Sequence, residues 1–344
     1  MPPEFRQPLP DMEIEEFPAG YEWGHAEIAQ PALLSLNRHL VGIVLDRGGG
    51  LPPEYVGTGF IVMVDDGEAL CITAAHVLDA ARSPQPGVPA DFQIPAFEQI
   101  TNACRRGKLL AHVAIDGRDE FVNINPLTYM AAPRGPDIAL LFLQSKLFVR
   151  RSLALAINSD LVPAGTPILA VGMPDTEITL NRIHTEYGLE RRIMLYHRNM
   201  QARMGFVKAL RADVGVVPGG VYHVSMSIPH GMSGGPILLY PKREPSAMQV
   251  IGFASYDSTP ETVIDNPEVP GEFGIAMPIL TALVTGITKD GQQITTLDLV
   301  RQGHVIDLGQ RWPHLDVVFE GQDVFFRDRP TPWPRPPAPR LRPV

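Results

Sequence analysis

Ser233 stands in the loop Gly231-Met232-Ser233-Gly234-Gly235-Pro236, whose glycines leave a hydroxyl exposed and let the neighbouring amides face a ligand. The N–H groups of Gly231 and Ser233 can then form a two-donor pocket for a developing oxyanion. Read alone, this is first of all a glycine-rich turn, because Ser and Gly dominate turns for local reasons. The apolar run that starts at Pro236 favours chemistry by placing the loop at a strand edge. An alcohol is a weak nucleophile until a base takes its proton. His76 follows the apolar run Ala69–Thr73, with the small Ala74 and Ala75 before it. A single His at a strand end is more often structural. His112, His184, His223 and His230 have no comparable setting. A base in turn needs a carboxylate that fixes its tautomer. Asp137 heads the apolar run Ile138–Leu143, and an acid there is either a solvated strand end or a buried, hydrogen-bonded group. Each residue is ambiguous by itself. Together they run in the order His, Asp, Ser, each at the edge of a strand.

The elements that must position them are short β segments. Val41–Leu45 is one. Thr58–Val64, the turn Asp65-Asp66-Gly67 and Ala69–Thr73 form a hairpin, and Ala74–Arg82 is a turn or two of helix. Leu109–Ile115 and Asp137–Leu143 follow, then Pro167–Gly172, Gly220–Ser225, Pro236–Tyr240, Val250–Ser255 and Gly274–Pro278. The polar stretch 175–200 reads as a surface loop or lid. Leu315–Phe319 and Asp323–Phe326 suggest a further hairpin, and the Pro- and Arg-rich 327–344 an extended tail. Two groups of short strands joined by polar turns favour an all-β pair of barrels over a βαβ architecture. The expected division is an extended segment 1–20, a first barrel over 21–150, a second over 151–285, an extension over 286–326 and the tail.

Composition narrows the function classes. With 31 Gly and 35 Pro the chain suits turns and short strands, and 44% hydrophobic against 19% charged residues suits a globular core. A net charge of −9 argues against a general nucleic-acid binder. No apolar run approaches the ~18 residues that span a bilayer, and the N-terminus lacks the pattern of a secretory signal. Cys71 and Cys104 make neither a disulfide framework nor a zinc site, so the expectation is a cytoplasmic protein without metal or cofactor.

Thr73–His76, Asp137–Leu141 and Gly231–Pro236 resemble the three signature blocks of chymotrypsin-like (trypsin-fold) serine peptidases. Pro167–Pro174, Val250–Ser255 and Phe273–Pro278 are similar to barrel strands of the Deg-type bacterial branch. The resemblance covers roughly residues 35 to 285 and implies two six-stranded antiparallel barrels. It implies His76 as general base and acid, Asp137 as its orienter, Ser233 as nucleophile, and the Gly231 and Ser233 amides as oxyanion hole. Ser255, Tyr256 and Asp257 are expected to pair with the substrate backbone. Ser227, Ile228 and His230 are expected to line the primary specificity pocket, where the uncharged Ser227 implies a neutral side chain and His230 an acidic one. Met232 stands where the digestive branch has an aspartate, which argues against activation by a salt bridge to a new N-terminus. Too few residues follow position 285 for a PDZ domain. The expected function is a serine endopeptidase acting on a protein or peptide substrate, with a regulatory protein as a further partner. The alternative is a catalytically silent peptidase-fold binding module. An α/β-hydrolase esterase is disfavoured by the order of the three residues.

Overall fold

The apolar runs of this sequence are buried on both faces, and that property organises the molecule. The computed structural model describes residues 12–13, 36–48, 51–82, 96–131, 136–174, 176–184, 190–214, 217–240, 249–257, 274–289, 292–309, 315–320 and 323–328. After a two-residue strand β1 (Met12–Glu13) come β2 (Leu40–Leu45), β3 (Glu54–Asp65), β4 (Glu68–Thr73), β5 (Leu109–Ile115), β6 (Arg118–Met130) and β7 (Ile138–Gln144). Strands β2 to β7 close an antiparallel barrel in the order β2-β3-β4-β7-β6-β5. Helices α1 (Ala75–Asp79) and α2 (Ala96–Arg105) lie between β4 and β5 in the chain. Asp66-Gly67 and Asp116-Gly117 turn the β3–β4 and β5–β6 hairpins with both φ angles positive, as tight two-residue hairpins require.

The second half contributes β8 (Pro167–Gly172), β9 (Glu177–His184), β10 (Glu190–His197), β11 (Gln201–Val214), β12 (Val217–Val224), β13 (Pro236–Leu239), β14 (Val250–Asp257) and β15 (Gly274–Pro278). Six of them run β11-β12-β15-β14-β13-β8, and the pairing of β11 with β8 closes the ring. β11 is long enough for both neighbours: residues 201–206 pair with β8 and residues 207–214 with β12. β1 adds to β11 at Ala209 and Leu210.

Alternation along each strand sorts side chains between a barrel interior and the seam. In β7, Ala139, Leu141 and Leu143 fill the first barrel, while Ile138, Leu140 and Phe142 face the core shared with the second. In β14, Ile251 and Ala254 fill the second barrel, while Val250 and Phe253 join the shared core. Burial on both faces is why these strands read as unbroken apolar runs.

The stretch 175–200 is not an irregular loop. β9 and β10 form a regular antiparallel hairpin whose register pairs Ile178 with Tyr196 and Leu180 with Met194. Those period-two apolar positions are the strand signal, hidden among charged residues. Beyond the barrels come α3 (Ile279–Val284), β16 (Gly286–Lys289), β17 (Gln292–Thr295), α4 (Thr296–Arg301), β18 (Leu315–Glu320) and β19 (Asp323–Asp328). α4 begins with a capping box between Thr295 and Asp298. β18 and β19 pair as the sequence suggests. The tail beyond Asp328 lies outside the described residues. Among the described residues no helix is long and apolar enough to cross a membrane.

Candidate active site

The β4–β7 pairing brings His76 and Asp137 together. Its register joins Thr73 to Ala139, so the residues that follow β4 and precede β7 emerge at the same end of the first barrel. Ala74 is extended, and the single turn of α1 then aims the His76 ring at Asp137. His76 Nδ1 lies 2.8 Å from Asp137 Oδ2, and the His76 amide donates to Asp137 Oδ1 at 2.9 Å. The carboxylate is 0% exposed and the imidazole 25%. A third donor, Ser255 Oγ, reaches Asp137 Oδ2 at 2.5 Å. A fully buried carboxylate therefore has donors on both oxygens, the condition under which burial of such a charge is tolerated. With Nδ1–H committed to Asp137, Nε2 carries the imidazole lone pair and is the basic nitrogen.

Ser255 reaches this position because of a β-bulge. The β14–β15 register shifts between Ala254 and Tyr256, which turns the buried Ser255 hydroxyl towards Asp137. Ser255 is expected from the sequence to offer its backbone to a substrate; its hydroxyl also hydrogen-bonds the Asp137 carboxylate. Its carbonyl accepts from Ser233 Oγ at 3.1 Å. Residues 255–257 have β15 on one side and, among the described residues, no strand partner on the other. Tyr256 and Asp257 occupy β14 opposite Ile275 and Gly274.

The loop carrying Ser233 is fastened to both barrels. Thr58 of β3 donates its amide to the Ser233 carbonyl at 2.9 Å, and the Gly234 amide donates to Ala254 O at 2.7 Å. Gly234 has φ +80°, and a Cβ there would come within 2.1 Å of both Thr58 O and Thr73 Oγ1, so only glycine fits. Gly231 has φ +89°, and its carbonyl oxygen lies within hydrogen-bond distance of two hydroxyls, Tyr55 OH at 2.9 Å and Thr58 Oγ1 at 2.7 Å. The Met232 amide donates back to Pro229 O at 3.0 Å. Among the described residues the Gly231 and Ser233 amides donate to no other backbone group. Two N–H groups beside a hydroxyl suit the oxyanion that develops on a carbonyl oxygen when such a hydroxyl attacks it.

The other named residues divide. Met232 is fully buried against Gly172. Ile228 is buried and packs over Gly274, whereas His230 is exposed. The Ser227 hydroxyl bonds Arg203 Nη1 of β11 at 2.5 Å, and Arg203 Nε is buried without a hydrogen-bond partner among the described residues. Arg203, Tyr55 and Thr58 carry no motif that marks them in the sequence. The one available signal was Gly57-Thr58-Gly59, a threonine framed by glycines. Among the described residues no group of three or more His, Cys, Asp or Glu is arranged to hold a metal ion.

The profile of the trypsin-like peptidase domain matches residues 57–242. Among solved structures, the chain is similar to the active form of the Rv3671c protease from M. tuberculosis, at 15% identity and TM-score 0.43, over 75% of this chain and 83% of that one. It is similar to the apo MamO protease domain from Magnetospirillum magneticum, at 15% identity and TM-score 0.42, over 71% and 94% of the two chains. It is also similar to AlgW, an HtrA-type protease with a tripeptide, at 16% identity and TM-score 0.40, over 72% of this chain but only 58% of that one. No curated protein matches it.

Proposed function

This chain belongs to the trypsin-like peptidase domain family, and we propose that it is a serine endopeptidase in which Ser233 attacks the scissile carbonyl. His76 Nε2 takes the Ser233 proton as the Oγ–C bond forms, and the Gly231 and Ser233 amides receive the oxyanion. Asp137 holds the imidazole by Nδ1 and balances the imidazolium charge. His76 then passes the proton to the leaving amine as the C–N bond breaks, and a water deprotonated by His76 releases the acyl group. The observation that carries this reading is the His76–Asp137 contact at 2.8 Å, with a buried carboxylate that has a donor on each oxygen.

The edge of residues 255–257 that has no strand partner among the described residues supports recognition of the substrate main chain as an added strand, with little sequence choice. Primary specificity rests on Ser227, and the Arg203 guanidinium on its hydroxyl favours an acidic side chain over a neutral one. Met232 in place of an acid supports activity that needs no salt bridge to a processed N-terminus. The Gly172-Met173-Pro174 strand end supports the Deg-type branch. Cys71 and Cys104 are buried and unpaired, their thiols held well above the usual range by burial, Cys104 at about 12, which supports a reducing compartment such as the cytoplasm.

A silent binding module has one observation in its favour, the Ser233 hydroxyl turned onto Ser255 O rather than left free. Rotation about χ1 between staggered wells releases it, so the enzyme reading stands. Labelling with a fluorophosphonate probe separates the two. The enzyme reading expects a covalent adduct on Ser233, lost in Ser233→Ala and reduced at least a hundredfold in His76→Ala. An unlabelled wild type that also cleaves no member of a peptide library sinks it.

A further inference from the structure

We infer that Tyr55 and Thr58 of the first barrel are positioning residues that hold the oxyanion-binding amides of the second barrel by clamping the Gly231 carbonyl; this rests on the hydrolase reading above.

The peptide unit between Gly231 and Met232 is gripped at both ends. Its oxygen faces two hydroxyls, Thr58 Oγ1 at 2.7 Å and Tyr55 OH at 2.9 Å, and its N–H donates to Pro229 O at 3.0 Å. The two hydroxyls are themselves 2.6 Å apart, and each has one proton. One proton therefore goes to the carbonyl and the other runs between the hydroxyls, so the carbonyl keeps a donor in either arrangement. Thr58 Oγ1 also accepts from the Met173 amide at 3.1 Å, which ties in the strand end beneath the loop. Thr58 is fully buried and Tyr55 nearly so, where an unmade hydrogen bond is costly.

Such a clamp is needed because Gly231 has no Cβ. A glycine at φ +89° has little intrinsic preference against rotating, and rotation of the adjoining peptide planes moves its own amide away from Ser233. A planar peptide has no internal freedom, so fixing its oxygen and its N–H fixes one of the two planes that meet at the Gly231 Cα. The ring edge of Tyr55 closes the other side, 3.1 Å from where a Gly231 Cβ would lie. Tyr55 and Thr58 touch no reacting atom; they act through Gly231.

The root of the β9–β10 hairpin braces the clamp from outside. The Tyr196 ring meets Tyr55 edge-on at 6.4 Å, and Arg198 donates to Met173 Sδ at 3.1 Å and to Leu40 O at 2.8 Å.

The test compares Thr58→Val, Thr58→Ser and Tyr55→Phe with wild type by fluorophosphonate labelling rate, by kcat and KM on a cleaved peptide, by thermal unfolding, and by the Gly231 carbonyl 13C shift. Thr58→Val is expected to lower the labelling rate and kcat about 10- to 100-fold, with KM within threefold. Thr58→Ser restores both to within about threefold, and Tyr55→Phe costs less than Thr58→Val. The carbonyl shift moves in Thr58→Val and returns in Thr58→Ser. A Thr58→Val variant that is folded and labels at the wild-type rate overturns the proposal and leaves the hydrolase reading intact. So does a loss of kcat that Thr58→Ser does not rescue. An unlabelled wild type overturns both together.

Discussion

Two polar groups flank the seam between the barrels, Asp137 fully buried and Arg198 partly so, and they are treated differently. Asp137 is 0% exposed, and its two oxygens receive the His76 amide, the His76 ring and the Ser255 hydroxyl. Arg198, at the hairpin root, gives Nη2 to the Leu40 carbonyl and Nε to the sulfur of Met173, while its Nη1 is buried with no hydrogen-bond partner among the described residues. Beside it the Tyr196 hydroxyl and His112 Nδ1 are likewise buried without hydrogen-bond partners there. His112 stacks on Tyr196 with ring centroids 3.7 Å apart. The first network fixes one proton and one ring orientation. The second fills space with polar side chains whose bonding capacity is only partly used. A satisfied buried network specifies geometry; an under-satisfied one holds an element in place at a cost in stability.

The largest expected effect comes from breaking the satisfied network. Asp137→Asn puts an amide donor among donors and loses the carboxylate that fixes the Nδ1–H tautomer. Peptide hydrolysis is expected to fall by about four orders of magnitude while circular dichroism shows a retained fold.

Next is the pH response of the under-satisfied network. Burial, with Arg198 adding to it, pushes His112 down to about 3, well below the ordinary imidazole. Between pH 6.5 and about 3 the unfolded chain binds a proton at His112 that the fold does not. Stability from this residue therefore falls as pH falls through that window, by at most about 1.4 kcal/mol per pH unit. Urea unfolding across pH 4 to 7 should show the slope, and His112→Phe, which keeps the stacking, should flatten it.

Ser255→Ala removes one of three donors to Asp137. It is expected to cost about 1–2 kcal/mol of stability and roughly a tenfold drop in kcat, read by denaturant titration and steady-state kinetics. The smallest effect belongs to Arg198→Met, which trades a poorly paired cation for an apolar side chain of similar length. Stability should stay within about 1 kcal/mol of wild type, and a loss of about 3 kcal/mol or more contradicts the difference between the two networks.

The two networks also differ in what the sequence discloses. His76, Asp137 and Ser233 stand out in the sequence because each sits beside an apolar strand, and the pairing of β4 with β7 is what brings the first two into contact. Residues 175–200 misled, because a dense run of charge hid the alternation that makes β9 and β10 strands. β6 escaped notice although Asp116-Gly117 marks its turn, since Asn123, Asn125 and Pro126 weaken its pattern. The Ser255 hydroxyl contact depends on a bulge, and the Tyr55–Thr58 clamp on partners more than 170 residues away in sequence. No local pattern encodes either. They follow only once both barrels are closed.

The central claim is that Ser233, His76 and Asp137 form one acyl-transfer centre across the two barrels. Rapid mixing of the protein with an activated p-nitrophenyl ester, followed by acid quench and mass spectrometry, tests it most directly. The account predicts a burst of about one equivalent of nitrophenol and an acyl adduct on Ser233, both abolished in Ser233→Ala and slowed by orders of magnitude in His76→Ala. No burst in the wild type, or a burst that survives Ser233→Ala, contradicts it.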